Sequence, residues 1–138
     1  MGKPKRIKGK TAKQGGLVKS QEPVNYDNNS PIFSLEKLQP GKYCLSSLDQ
    51  ENKAKFADAI FRRKSLTWNQ IKQQDRHSLG TEKIPKTQIK APIPKFITDD
   101  FEFFLAFRYH ALNPMVGYRQ RDVFFVIWFD HDFTLYNH

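Results

Sequence analysis

One cysteine stands among the 138 residues, so the chain can close no disulfide of its own. Cys44 reads as a small buried hydrophobe rather than a nucleophile, because nothing around it supplies the electropositive setting a thiolate needs. No apolar run approaches the roughly 20 residues that cross a bilayer, and the start, Met1-Gly2-Lys3-Pro4-Lys5-Arg6, lacks the apolar stretch of a secretory signal. A soluble protein of a reducing cytoplasm, with no membrane partner, is the expectation. Metal spacing is missing among His77, His110, His131 and His138. Adjacent residues of Asp130-His131-Asp132 on an extended turn point apart and do not share one ion. A Gly-x-Ser-x-Gly elbow, a Gly-rich phosphate loop and paired zinc cysteines are absent too. No metal or cofactor is therefore expected, and no internal repeat is visible.

Acid is the other absence. Residues 1–20 hold seven cations (Lys3, Lys5, Arg6, Lys8, Lys10, Lys13 and Lys19) and no Asp or Glu, which leaves sixteen basic against fourteen acidic residues after position 20. The net charge of +9 thus belongs mostly to the start of the chain. It licenses weak, salt-sensitive attraction to RNA, DNA or an acidic protein face, and does not make the rest of the chain a nucleic-acid binder. Without apolar periodicity, and punctuated by Gly15-Gly16, Pro23 and Asn28-Asn29-Ser30-Pro31, residues 1–31 read as a disordered basic arm, either ordering on a partner or serving only as a solubilising tail.

Residues 32–138 read as a single α+β domain: a short helical hairpin packed on a C-terminal antiparallel meander. Ser47-Leu48-Asp49-Gln50 has the form of a capping box. Behind it Lys53, Phe56, Ala57, Ile60 and Phe61 recur at helical steps over about 14 residues. The Arg62-Arg63-Lys64 end either compensates the helix dipole or faces phosphate. A second helix, capped by Ser65 or Thr67, runs through Trp68, Ile71 and Lys72 and stops near Gly80, a residue suited to a left-handed terminus. Pro85, Pro92 and Pro94 then leave residues 83–95 as linker or edge strand.

Two-residue alternation from Phe101 puts Phe103, Leu105, Phe107 and Tyr109 on one strand face and Phe104, Ala106, Arg108 and His110 on the other. Asn113-Pro114 is expected to turn, residues 115–119 to form a second strand, and residues 123–129 a third. That third strand is apolar throughout, hence central and covered on both sides. Residues 133–136 are expected to close the meander.

The strand ends could gather Arg108, His110, Arg119, Arg121, His131, Tyr136 and His138 at one edge. RNA cleavage without a metal needs such types: a base for the ribose 2′-hydroxyl, an acid for the leaving oxygen, and a cation for the charged transition state. Trp68 or Tyr118 could stack on bases, or both could be core. Arg76, His77, Glu82 and Lys83, crowded after the second helix, either complete a site or simply anchor a turn through an Arg76–Glu82 pair.

Phe107-Arg108-Tyr109, Val116-Gly117-Tyr118-Arg119, residues 123–130 and Leu135-Tyr136-Asn137-His138 resemble the terminal sheet of small bacterial toxin–antitoxin toxins of the RelE/YoeB/ParE class. The likeness covers about residues 48–138. The Lys-rich arm and the Pro-rich segment 85–94 are additions to that pattern. The resemblance implies a metal-independent mRNA endoribonuclease, often acting on the ribosome and held by an antitoxin protein. It implies phosphate binding by Arg108 and Arg119, and proton transfer by His110, Tyr136 and His138. Arg121, Arg76, His77 and Lys83 complete the candidate RNA contacts. The competing readings are a non-catalytic nucleic-acid or ribosome-binding module and a protein-interaction domain.

Overall fold

The structure, a computed structural model, describes residues 24–138; the seven cations of the expected arm lie outside the described residues. Residues 24–31 belong to the fold. Tyr26–Asn28 forms a 3-10 turn capped by the Asn25 side chain, and the Asn29 carbonyl accepts from the Trp68 backbone N–H at 2.9 Å. Strand β1 (Ile32–Ser34) follows, then helices α1 (Gln50–Arg62) and α2 (Trp68–Lys72). The remaining strands are β2 (Thr81–Pro85), β3 (Phe103–His110), β4 (Asn113–Gln120) and β5 (Val123–Phe129). The sheet order is β1-β5-β4-β3-β2. β1 runs parallel to β5, and all other pairs are antiparallel. The fold is α+β as expected, and the parallel edge strand β1 is an element the sequence pattern did not single out. No helix among the described residues is long and apolar enough to cross a membrane.

Three layers result. On one face of the sheet, Phe56 and Ala59 of α1 and Trp68 and Ile71 of α2 pack against Phe107, Tyr109, Met115, Phe124 and Phe129. On the other, Phe104, Ala106, Val116, Ile127 and Trp128 are covered by irregular chain, through Tyr43, Ile89, Ile93, Ile97, Leu135 and Tyr136. β5 is therefore covered on both sides, as its unbroken apolar run requires. Its pairing with β4 shifts register between Val116 and Gly117, so that Ile127 and Trp128, consecutive in sequence, both enter the second core. Gly117 makes room for that bulge: a Cβ there would stand 1.8 Å from the Phe125 carbonyl oxygen. Gly117→Ala is expected to cost about 3 kcal/mol in urea unfolding, through forced separation of two interior strands.

Several local expectations are corrected. Asp49, not Ser47, caps α1, its carboxylate accepting from the Asn52 N–H at 2.8 Å; the Ser47 hydroxyl donates to the Gly41 carbonyl instead. The capping box belongs to α2, between Thr67 and Gln70. α2 ends at Lys72 rather than near Gly80. Beyond it the Asp75 carboxylate accepts from the His77 N–H and the Asp75 carbonyl from the Ser78 and Gly80 N–H groups, a local network that competes with continued helix. Gly80 keeps a negative φ. It is needed because a Cβ would meet the Gln74 carbonyl oxygen at 2.3 Å.

The β3–β4 turn is Ala111-Leu112, with Ala111 at φ 51°. Pro114 lies inside β4, opposite Arg108 at a register shift, where a bulge tolerates its missing N–H. Residues 133–136 form no strand, since Phe133 takes φ 62°. The N–H groups of Thr134 and Leu135 both turn onto the Asp130 carboxylate. Cys44 is only half-buried, and the Ser46 backbone N–H draws its thiol pKa down.

Candidate active site

β3 carries Arg108 on the face covered by irregular chain, beside the sheet edge made by β2. Pairing of Glu82 with Ala106 brings the Glu82 carboxylate to the same place. Arg108 is 5 % exposed. Nη2 donates to Glu82 Oε1 at 2.6 Å and Nη1 to the Tyr136 hydroxyl at 3.3 Å, while Nε has no partner among the described residues. Glu82 Oε2 also lies 3.8 Å from Arg76 Nη1. The Arg76–Glu82 anchor and the site are thus one structure, with Glu82 bridging two arginines.

The last residues supply the other half. Tyr136, 3 % exposed, stacks on the His138 ring with centroids 4.0 Å apart. Burial pushes its phenol pKa up against the opposing pull of Arg108, so the hydroxyl stays a proton carrier at neutral pH. His138 Nε2 meets Asp130 Oδ2 at 2.9 Å. Asp130 is fully buried, and its other oxygen is held by the two backbone N–H groups of the tail. With Nε2–H donating to that carboxylate, the ring keeps a lone pair on Nδ1. Arg108, Tyr136 and His138 line one cleft of about 500 Å³, with Arg76, His77 and Lys83 at its rim.

Other candidates lie elsewhere. The two-residue alternation that put His110 beside Arg108 breaks at the register shift between them. His110 turns to the helix side, with Nδ1 2.9 Å from Asn52 Oδ1 and Nε2 3.6 Å from Glu51 Oε2. Arg119 sits roughly 16 Å from Pro114 along β4, at about 3.3 Å per residue. Its guanidinium covers the Trp68 ring at 4.2 Å and pairs with Asp27 at 2.5 Å. Arg121, at φ 58°, occupies the turn at that same far end. His131 faces the Lys42 carbonyl. Trp68 is buried under Arg119, and Tyr118 stacks on Phe125. Arg63 of the Arg62-Arg63-Lys64 triplet is buried rather than presented at the surface. Among the described residues no three His, Cys, Asp or Glu side chains converge as metal ligands.

No known protein family, curated protein or solved structure matches this chain. The cleft is therefore read from its own geometry. Asp130, which lies behind the cleft and holds His138, has no role in the sequence pattern. Asp130 was placed in a turn, although a carboxylate closing an apolar strand needs buried partners. Glu82 is readable in the sequence as a site residue or as the partner of Arg76, and strand register adds Arg108 as its second partner.

Arg119 has a structural task instead. Hydrogen bonds from Lys72 and then Arg119 hold the Asp27 carboxyl below its ordinary 3.8, clasping residues 24–31 to α2 and β4. A depressed carboxyl stabilises the fold above its unfolded pKa, and that contribution disappears as pH falls through the folded value. The melting temperature is expected to drop below about pH 4, with a smaller drop in Asp27→Asn, as scanning calorimetry between neutral and acid pH measures.

Proposed function

We propose that this chain is an RNA-targeting, toxin-like protein that cleaves RNA in the Arg108–Tyr136–His138 cleft without a metal ion. The observation that carries this reading is the meeting, in one cleft, of a buried arginine with an unpartnered Nε and a histidine oriented by a buried carboxylate. Arg108 receives the scissile phosphate, with Arg76 and Lys83 adding positive potential at the rim. His138 Nδ1 removes the ribose 2′-hydroxyl proton, and the 2′-oxygen attacks phosphorus. Tyr136 gives its proton to the departing 5′-oxygen and recovers one from the His138 imidazolium through water. The products are a 2′,3′-cyclic phosphate and a 5′-hydroxyl end. Arg108 balances the charge that grows on the phosphoryl oxygens.

The resemblance to RelE/YoeB/ParE-type toxins supplies the target class, mRNA alone or on the ribosome, and an antitoxin protein as partner. The seven cations of residues 1–20 supply long-range attraction to RNA.

The test incubates the purified protein with an mRNA fragment in a chelator, both free and on translating ribosomes, and maps the new ends. Cyclic-phosphate ends are expected. RNA left whole in both settings, together with unimpaired growth on induction, rejects the reading. Binding of RNA with no cleavage supports the second reading, a non-catalytic RNA or ribosome-binding module, which the basic start of the chain favours.

A further inference from the structure

Arg63 is 1 % exposed, and no carboxylate lies within ion-pair distance of it among the described residues. It donates instead to carbonyls. Nη1 reaches Ala59 at 2.9 Å, Nε reaches Leu79 at 3.1 Å, and Nη2 reaches Ser78 at 3.1 Å and Arg108 at 3.3 Å. The guanidinium carbon lies 4.9 Å from the Phe107 ring centre. Burial lowers its pKa to about 10, which leaves it charged at neutral pH.

The Arg108 carbonyl explains why a charge is kept there. Glu82 pairs with Ala106 and Ile84 with Phe104, and the Lys86 N–H donates to the Glu102 carbonyl. This parity of β3 turns its backbone groups towards β2, and the next partner for Arg108 by register is Gly80. The Gly80 N–H, however, is already donated to the Asp75 carbonyl at 2.9 Å. A buried carbonyl without a partner is costly. The Arg63 fork fills that place and, with its other donors, holds Ser78 and Leu79 in the turn that leads into Glu82.

We infer that Arg63 is a positioning residue of the cleft, its guanidinium fixing the Arg108 backbone against the turn that carries Arg76 and His77 and leads into Glu82. Lysine presents a point charge with three donors and cannot reproduce the planar fork. The activity part of this inference rests on the RNA-cleavage reading, and the structural part does not.

Arg63→Lys is compared with Phe56→Leu, which thins the helix-side core away from the cleft and serves as a control for lost stability. At a temperature where both are folded, Arg63→Lys is expected to lower kcat on an RNA oligonucleotide about 10- to 100-fold with KM little changed, and Phe56→Leu to leave both unchanged. In nitrogen–proton spectra, the Arg108 Nε–H and Glu82 amide signals shift in Arg63→Lys and stay in place in Phe56→Leu. Unchanged signals, or equal kcat in the two variants, overturn the inference. Shifted signals in a protein that cleaves no RNA sustain the positioning and reject the cleavage reading. Should Arg63→Lys not fold, hydrogen exchange in the unaltered chain decides. One shared opening free energy for the Glu82, Arg108 and Arg63 amides supports the link, and separate values overturn it.

Discussion

His138→Ala is expected to lower turnover of an RNA oligonucleotide about 1,000-fold while affinity stays within a few-fold; His110→Ala is expected to leave both within about two-fold. Multiple-turnover kinetics on one fluorescent substrate measures the pair. The contrast follows from geometry rather than residue type. Both are histidines, but only His138 shares a cleft with Arg108 and has a buried carboxylate fixing its tautomer. His110 is spent on Asn52 and Glu51 of α1. Equal losses in the two variants would show that the cleft is not where chemistry happens. An unchanged rate in His138→Ala would remove the proposed base.

Asp130→Ala is expected to destabilise the fold by about 3–5 kcal/mol, because it deletes a fully buried carboxylate that serves three donors. Its carboxylate holds the Thr134 and Leu135 N–H groups and the His138 ring, and the substitution leaves those donors without a partner. The 131–138 tail would loosen with them, although its link to residues 86–97 remains through the Lys90 N–H to Leu135 carbonyl bond. Asp130→Asn keeps one acceptor oxygen for the two backbone donors, so about 1–2 kcal/mol is the expected loss. Urea unfolding of the three proteins measures both steps. A loss below about 1 kcal/mol in Asp130→Ala would mean that the tail is held by Leu135 and Tyr136 packing alone. Turnover in Asp130→Asn, measured where the protein is folded, separates orientation of His138 from stability.

The two predictions meet because one segment does two jobs. Leu135 and Tyr136 close the second core, and the same residues aim Tyr136 and His138 at Arg108. Among the described residues no α-helix covers that core. Its cover is irregular chain, which needs side-chain acceptors such as Asp130 to satisfy backbone N–H groups that a strand ladder would otherwise pair.

Alternation through Phe103–His110 and the apolar run of Val123–Phe129 made β3 and β5 readable in the sequence, and helical steps from Phe56 to Phe61 did the same for α1. These are local periodicities that burial of one face enforces. The grouping of the candidate residues was readable in part. Arg108, Tyr136, His138, Arg76, His77 and Lys83 do line one cleft, whereas His110, Arg119 and Arg121 do not. The failure at His110 has a definite cause: a single bulge cancels two-residue alternation, and no local pattern announces it. Arg119 and Arg121 failed because β4 carries them to its opposite end, a matter of strand length and turn position. The turn itself was misplaced by Pro114, normally a turn residue, which here sits in an interior strand.

The absences that opened the sequence analysis determined a good deal by themselves: no disulfide, no apolar run long enough to span a bilayer, and charge concentrated in the first 20 residues. Periodicity added an α+β chain with a C-terminal meander. Tertiary structure alone decided that β1 joins β5 in parallel, that Glu82 and Asp130 belong with Arg108 and His138, and that Arg63 turns inward. The physical reason is common to all three. β1 and β5, Glu82 and Arg108, and Arg63 and Arg108 are partners far apart in sequence, and the buried polar groups, Asp130 included, are satisfied only once the chain has folded around them.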